Sequence, residues 1–441
     1  MTKTAAIYTL GCKVNQYESA AIGDLFRQAG YQLVDFEQPA DVYVVNTCTV
    51  THLGDRKSRQ IIRRAAKQNP AAVIAVTGCY AQTSPGEVLE IPGVDLVVGT
   101  RDRARIVKLV EGHVKNKGPV NAVEDIMQSE CFEELPVPTE QGKARAFLKI
   151  QEGCNSFCAY CIIPYARGPV RSRLPENVLK AATELVQQGY QEIVLTGIHI
   201  GAYGQDFTAQ NIDLAWLVER LAAVPGLRRL RLGSVEPHDI NTALIEAVAN
   251  HPNICRHLHI PLQSGDDQIL AKMRRRYDTR EYNRLIAEIY RKVPGVAITS
   301  DVIVGFPGET EANFQNTLRT VAKAKFARIH VFKYSPRKGT PAAEFADQVP
   351  PEEKEERSRR LIELGEQLAH EFARIQVGKD LEVLVEQPSH EYTPLWEGHT
   401  DTYLKVIFPA DESVRGQIAK VHIDNVEGPI LKGTIISKQA G

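Results

Sequence analysis

Arg145-Ala146-Phe147-Leu148-Lys149-Ile150-Gln151 followed at once by Gly153-Cys154-Asn155-Ser156-Phe157-Cys158-Ala159-Tyr160-Cys161 is the stretch from which the fold reads outward. The first seven residues alternate as a β-strand does, and the cysteine run after them must then lie at a strand's carboxyl end. Three thiolates on one short loop, spaced Cys-x3-Cys-x2-Cys, can each hold one iron of a [4Fe–4S] cube and leave the fourth iron without a protein ligand. A structural zinc ion wants four closed ligands, commonly from two knuckles, and no second knuckle follows this one.

Moving outward, strand-like runs recur at 192–197, 229–234, 256–262, 297–304 and 328–334, with amphipathic helices such as 174–188 and 311–325 between them. Six such repeats predict a partial (β/α)6 barrel, by analogy with the complete eight-stranded kind. Further motifs end these strands: Thr196-Gly197-Ile198-His199-Ile200-Gly201, Ser234-Val235-Glu236-Pro237, Pro261-Leu262-Gln263-Ser264-Gly265 and Asp301-Val302-Ile303-Val304-Gly305-Phe306-Pro307. Taken singly, these glycines read as turn residues and His199 as a packed histidine. Their shared position at strand ends, where barrels build active sites, argues for function.

Residues 144 to about 345 resemble the radical S-adenosylmethionine (SAM) superfamily. The resemblance implies that Cys154, Cys158 and Cys161 carry the catalytic cluster, whose open iron chelates SAM and passes an electron to its sulfonium. It also implies SAM contacts from Tyr160, Gly197, His199, Ser234, Glu236, Gln263 and Asp301.

The first third of the chain reads as an open α/β sheet, with strands at 5–10, 42–47 and 72–78 and helices at 16–29 and 54–68. Cys12, Cys48 and Cys79 each follow one of these strands, and the carboxyl ends of parallel strands share one edge. A lone cysteine there reads as a buried structural residue. Three in one domain point to a second cluster. Residues 117–143, with Pro119, Pro136 and Pro138, read as a linker; 351–376 reads as a solvated helix. From Gly378 the pattern becomes all-β, with LEVLVEQ, YLKVIFP, GQIAKVHID and GTIISK as strands of a small barrel-like module. The expected class is therefore α/β, divided into 1–116, the linker, 144–376 and a terminal module at 377–441. Cys131 and Cys255 sit at no cluster-like position and read as structural.

Over essentially its entire length this arrangement resembles the methylthiotransferase family, whose members join such an amino-terminal domain to a radical SAM core and a TRAM module. The resemblance implies two [4Fe–4S] clusters, two SAM molecules per turnover, and transfer of a methylthio group to an unactivated C–H bond. It further implies a sulfur donor and an electron donor such as flavodoxin or ferredoxin. Three substrate classes are open within the family: isopentenyladenosine in tRNA, threonylcarbamoyladenosine (t6A) in tRNA, and an aspartate of a ribosomal protein. Thr9-Leu10-Gly11-Cys12-Lys13-Val14-Asn15-Gln16 and Asn46-Thr47-Cys48-Thr49-Val50-Thr51 resemble the bacterial t6A class. A non-catalytic iron–sulfur protein that binds RNA or senses redox state is the alternative from another class.

Composition narrows the partners. The chain has 441 residues, 43% hydrophobic and 24% charged, with a net charge of −1, so bulk charge does not advertise a polyanion. Local runs do: Arg56, Lys57, Arg59, Arg63 and Arg64 crowd the helix after Cys48. Arg167, Arg171 and Arg173 follow the first cysteine loop, and Arg274, Arg275 and Arg276 follow the fourth-strand motif. They are expected to grip an anticodon loop of tRNA. The terminal module, with six Lys and Arg against ten Asp and Glu, does not share that bias. The amino terminus shows no secretory signal and no apolar run is long enough for a membrane span, so a cytoplasmic protein is expected, in which eight cysteines are ligands or thiols rather than disulfides.

Overall fold

The computed structural model describes residues 2–113, 118–138, 144–207 and 211–438. Its first unit is a six-stranded parallel sheet: β1 (Thr4–Thr9), β2 (Gln32–Leu33), β3 (Val42–Thr47), β4 (Val73–Gly78), β5 (Leu96–Val97) and β6 (Val120–Asn121). The order across the sheet is β2-β1-β3-β4-β5-β6. Helices cover both faces, so β3 is buried at every residue and separate apolar cores form on either side. The stretch read as a linker is partly structured: β6 pairs with β5 and a 3-10 turn follows at Ile126–Gln128. Two-residue strands such as β2, β5 and β6 are too short to show a period.

The barrel strands are β7 (Ala146–Lys149), β8 (Gln151–Glu152), β9 (Arg171–Ser172), β10 (Glu192–Thr196), β11 (Arg229–Arg231), β12 (His257–His259), β13 (Ala297–Val304) and β14 (Arg328–Lys333). Two parallel sheets, β11-β10-β7 and β12-β13-β14, are stitched by single bridges at Leu230–Ile254 and Ser234–His259. The six longer strands thus form one arc whose edges, β7 and β14, do not pair among the described residues. Alternation sorts the side chains. Ala146, Leu148, Ile193, Leu195, Leu258, Ile298 and Val302 join the helices in one core. The opposite parity, Lys149, Thr196, Arg231, His257, His259, Thr299 and Asp301, lines the concave face. The helix Lys13–Gln28 of the first unit leans on that face, where Tyr17 packs with Phe147 and Val194.

The helix Pro351–Arg374 packs along β14 and leads into a closed five-stranded barrel: β15 (Asp380–Pro388), β16 (Trp396–Thr400), β17 (Lys405–Phe408), β18 (Ile418–Glu427) and β19 (Ile430–Lys438). β16 escaped the sequence reading because Glu397, Gly398 and His399 interrupt its apolar pattern. The module is held to the core by buried arginines. Arg229 and Arg231 donate to the backbone carbonyls of Glu382, His399, Thr400 and Asp401, while the fully buried Glu192 neutralises both. No helix among the described residues is long and apolar enough to cross a membrane.

Candidate active site

The cysteine loop after β7 is clasped at its base. β8 and β9 pair antiparallel, Gln151 with Ser172 and Glu152 with Arg171. Gly153 has φ 76°, and a Cβ there would stand 1.8 Å from the Pro169 carbonyl oxygen, so the closure requires glycine. The Cys154 Sγ accepts from the Ser156 amide at 3.4 Å and lies 3.5 Å from His199 Nδ1. The other ring nitrogen of His199 is 2.5 Å from Asp239. Burial works against charge on this imidazole, yet Asp239 and Cys154 raise its pKa to about 10. Burial likewise opposes ionisation of Cys154, and here the His199 contact wins and lowers the thiol. Cys158 accepts from Arg275 Nη1 at 3.3 Å, and Arg275 is ion-paired with Glu236. Burial pushes Cys161 up to about 12. Ligation needs thiolates, and these cationic donors favour that form.

The remaining expected contacts sit round this loop. Tyr160 packs edge-on against Phe306. A Cβ on Gly197 would stand 2.9 Å from the Gln151 carbonyl oxygen, so this turn is pressed against the start of the cysteine loop. Ser234 is exposed beside His259. Gln263 adopts φ 62° and bridges to β13 through Asp301 and Ile303. Asp301 is paired with His259 at 3.2 Å and His330 at 3.1 Å; against the effect of burial, these hold its carboxyl well below the usual range. Neither histidine was singled out from sequence, although each has strand parity with Asp301 or with Thr299.

Cys12, Cys48 and Cys79 follow β1, β3 and β4, which are neighbours in the sheet, and so share its carboxyl edge. Gly11 and Gly78 precede two of them with φ 103° and 94°. A Cβ on Gly11 would lie 3.2 Å from the Cys48 Sγ, and one on Gly78 would lie 2.4 Å from the Thr47 carbonyl oxygen. Asn15 ties the loops by donating to the carbonyls of Leu10 at 2.7 Å and Thr47 at 3.0 Å. The buried Cys79 accepts from Arg167 Nε at 3.2 Å; burial, then the neighbouring Cys12 and Cys48, outweigh that contact and push its thiol up to about 12. Arg337, another barrel residue, donates to Thr49 and Asp55 beside Cys48, both at 2.6 Å. A cleft of about 800 Å³ opens here, rimmed by His52, Arg59, Tyr165, Arg337 and Lys338.

The thiols suit clusters better than single ions. A tetrahedral zinc with Zn–S of about 2.3 Å needs its sulfurs about 4 Å apart. Among the described residues, the sets of ligand atoms that close within 4.8 Å of one another are His199 with His238 and Asp239, and His259 with Asp301 and His330, none with a cysteine. Two sets of three thiols at wider spacing, one with a guanidinium donor on Cys79 and the other with one on Cys158, each fit a larger anionic group.

The basic residues divide. Arg56, Lys57, Arg63 and Arg64 are exposed on the helix His52–Gln68, whose inward face is Asp55, Ser58, Ile61, Ile62 and Ala65. Arg64 pairs with Glu37, and Arg59 is half-buried against the Tyr80 hydroxyl at 3.0 Å. Arg171 and Arg173, expected to meet RNA, are buried instead. Arg171 donates to the carbonyls of Arg167 and Pro169, and Arg173 is held by Glu134 at 2.7 Å. Arg167 and Arg275 are likewise spent on Cys79 and Cys158. A run of arginines next to the cysteine loop is thus structural here, because nearby carbonyls, two thiols and the carboxylates of Glu18, Glu134, Glu152 and Glu236 absorb their donors.

Comparison with known proteins agrees with this geometry. Residues 4–99 match the uncharacterized protein family UPF0004, and residues 148–321 match the Radical SAM superfamily. Threonylcarbamoyladenosine tRNA methylthiotransferase MtaB of Bacillus subtilis (strain 168) is 49% identical over 98% of this chain and 96% of its own. A tRNA-2-methylthio-N(6)-dimethylallyladenosine synthase of Moorella thermoacetica is 39% identical over 98% of each. Among solved structures, the radical SAM methyltransferase TsrM of Kitasatospora setae shares the fold, with a TM-score of 0.58 at 17% identity over 78% of this chain and 77% of that one. The chain belongs to the radical SAM methylthiotransferase family.

Proposed function

We propose that this protein inserts a methylthio group at C2 of N6-threonylcarbamoyladenosine at position 37 of tRNA. The observation that carries the reading is the pairing of two cysteine triads, each at the carboxyl edge of a parallel sheet and each with an arginine on one thiol. The near-full-length similarity to a threonylcarbamoyladenosine tRNA methylthiotransferase selects the substrate over isopentenyladenosine and over a ribosomal protein.

Cys154, Cys158 and Cys161 hold the radical [4Fe–4S] cluster, and Cys12, Cys48 and Cys79 hold the auxiliary one. Bound clusters supply the electron for reductive SAM cleavage at the first site and a seat for the transferred sulfur at the second. Tyr160, Gly197, Ser234, Gln263 and Asp301 bound the space for SAM at the strand ends. His199 and Glu236 serve that space by holding Cys154 and, through Arg275, Cys158. The exposed Arg56, Lys57 and Arg63, with Arg59 and Arg64, offer phosphate contacts to an anticodon loop. Electrons come from a flavodoxin or ferredoxin and sulfur from a separate donor, in the cytoplasm. Nucleoside mass spectrometry of tRNA from a strain lacking the gene tests the substrate. Accumulation of unthiolated t6A supports it; full methylthiolation of t6A with loss at isopentenyladenosine overturns it.

A further inference from the structure

Arg167 closes the short helix Ile163–Arg167, six residues beyond Cys161, and its side chain is fully buried. Four groups share its guanidinium. Nε donates to Cys79 Sγ at 3.2 Å, Nη2 to Asn15 Oδ1 at 2.5 Å, and Nη1 to Glu18 at 2.7 Å and Glu152 at 3.2 Å. Glu18 and Asn15 belong to the amino-terminal helix, Glu152 to the clasp under the radical loop. Arg103 and Lys149 complete the buried network, Arg103 pairing with Glu18 at 2.5 Å. A buried, satisfied arginine is ordinarily a structural device. Two features go beyond that. Only the Arg167 guanidinium among these cations touches a cysteine, and its second contact, Asn15, is the residue that gathers the Cys12 and Cys48 loops. One side chain from the barrel therefore reaches all three loops of the amino-terminal edge.

We infer that Arg167 is the positioning residue of the auxiliary cluster: it donates a cationic hydrogen bond to the Cys79 ligand and, through Asn15, joins the three auxiliary loops to the helix that follows the radical-cluster loop. The inference rests on the assignment of Cys12, Cys48 and Cys79 to that cluster. Reduction adds negative charge to a cluster, and a cationic hydrogen bond to a ligating sulfur favours the reduced form. Losing that bond makes the auxiliary cluster harder to reduce, whereas a merely structural arginine leaves the reduction equilibrium alone.

The test uses the full chain with Cys154, Cys158 and Cys161 replaced by Ala, reconstituted anaerobically with iron and sulfide so that one cluster gives the EPR signal. Arg167→Lys keeps the buried charge near Glu18 and Glu152 but withdraws the Nε donor. A redox titration is expected to show at least a tenfold loss in the reduction equilibrium, which is 59 mV for one electron. Arg103→Lys, in the same network but off the thiol, is expected to leave it in place. An unshifted midpoint in Arg167→Lys, or an equal shift in Arg103→Lys, overturns the inference. The unaltered Arg167 is tested independently by labelling with 15N-arginine, where pulsed EPR is expected to show a weak nitrogen coupling to the reduced cluster. Absence of that coupling overturns it even if Arg167→Lys fails to fold. A chain that binds no iron at all overturns the ligand assignment itself, and the inference with it.

Discussion

His199 stands between a thiol and a carboxylate, its Nδ1 3.5 Å from the Sγ of Cys154 and its Nε2 2.5 Å from Asp239. Against the effect of burial these partners raise the ring from an ordinary 6.5 to about 10. A raised folded-state value stabilises the protein fully below pH 6.5, and the contribution fades as pH rises through about 10. His199→Gln is expected to cost the cluster-free protein roughly 3–5 kcal/mol at pH 6, the range for breaking a buried ion pair. Urea titrations across pH 6 to 10 should show the gap to the unaltered protein narrowing. A gap that widens with pH contradicts a charged ring.

The two cysteine sets are separable by product. Cys154→Ala, Cys158→Ala and Cys161→Ala are each expected to abolish 5′-deoxyadenosine formation from SAM, because the cube loses a ligand. Replacing Cys12, Cys48 and Cys79 together should leave that cleavage in place while methylthiolated nucleoside disappears. Chromatography of both products from one reaction checks the pair. Product from the triple variant, or an iron content equal to that of the unaltered protein, removes the auxiliary site from this edge.

Charge reversal on the basic helix should act on RNA binding alone. Arg63→Glu with Arg64→Glu is expected to weaken tRNA binding and flatten its salt dependence, by about 0.7 in log–log slope per lost single-strand phosphate contact. Arg64 already pairs with Glu37, so Arg63→Glu should have the larger single effect. Filter binding at several salt concentrations reads this out. SAM cleavage should not change.

Glu192 anchors the terminal module. Burial opposes its charge, but Arg231 and Arg145 hold its carboxyl down to about 2, from an ordinary 4.5. That depression stabilises the fold by about 3 kcal/mol above pH 4.5, and the contribution is lost as pH falls through about 2. Glu192→Gln is expected to lower stability by a comparable amount at pH 7. Thermal melts should show the variant and the unaltered chain converging in acid, and a constant offset down to pH 2 sinks the account.

How much of this was legible beforehand follows from where the signals lie. The strands before Cys12, Cys48, Cys79 and Cys154 are continuous apolar or alternating runs, so the position of each cysteine at a strand end could be read directly. β16 could not, because Gly398 and two polar neighbours hide its inward residues. Arg171 and Arg173 misled for a different reason. Sequence shows charge but not which carbonyls a folded loop turns inward, and Glu134, far along the chain, is what occupies Arg173. The same blindness hid Glu18 and Lys149, charges on faces that a period alone marks as apolar. Glu18 pairs with Arg103 of its own unit and with Lys149 and Arg167 of the barrel, and only the three-dimensional arrangement brings them together.

The reach of Arg167 into the amino-terminal edge bears on the order in which the protein can be made. Residues 4–78 form β1, β3 and β4 and leave a ribosome well before residue 167 does. The newborn sheet therefore presents Cys79 without its guanidinium and Glu18 without its buried cations. A nascent chain in that state carries an edge of thiols that the barrel has not yet completed. The buried contacts of that edge form only once the barrel has been made and folded, so its final packing follows translation of residue 167.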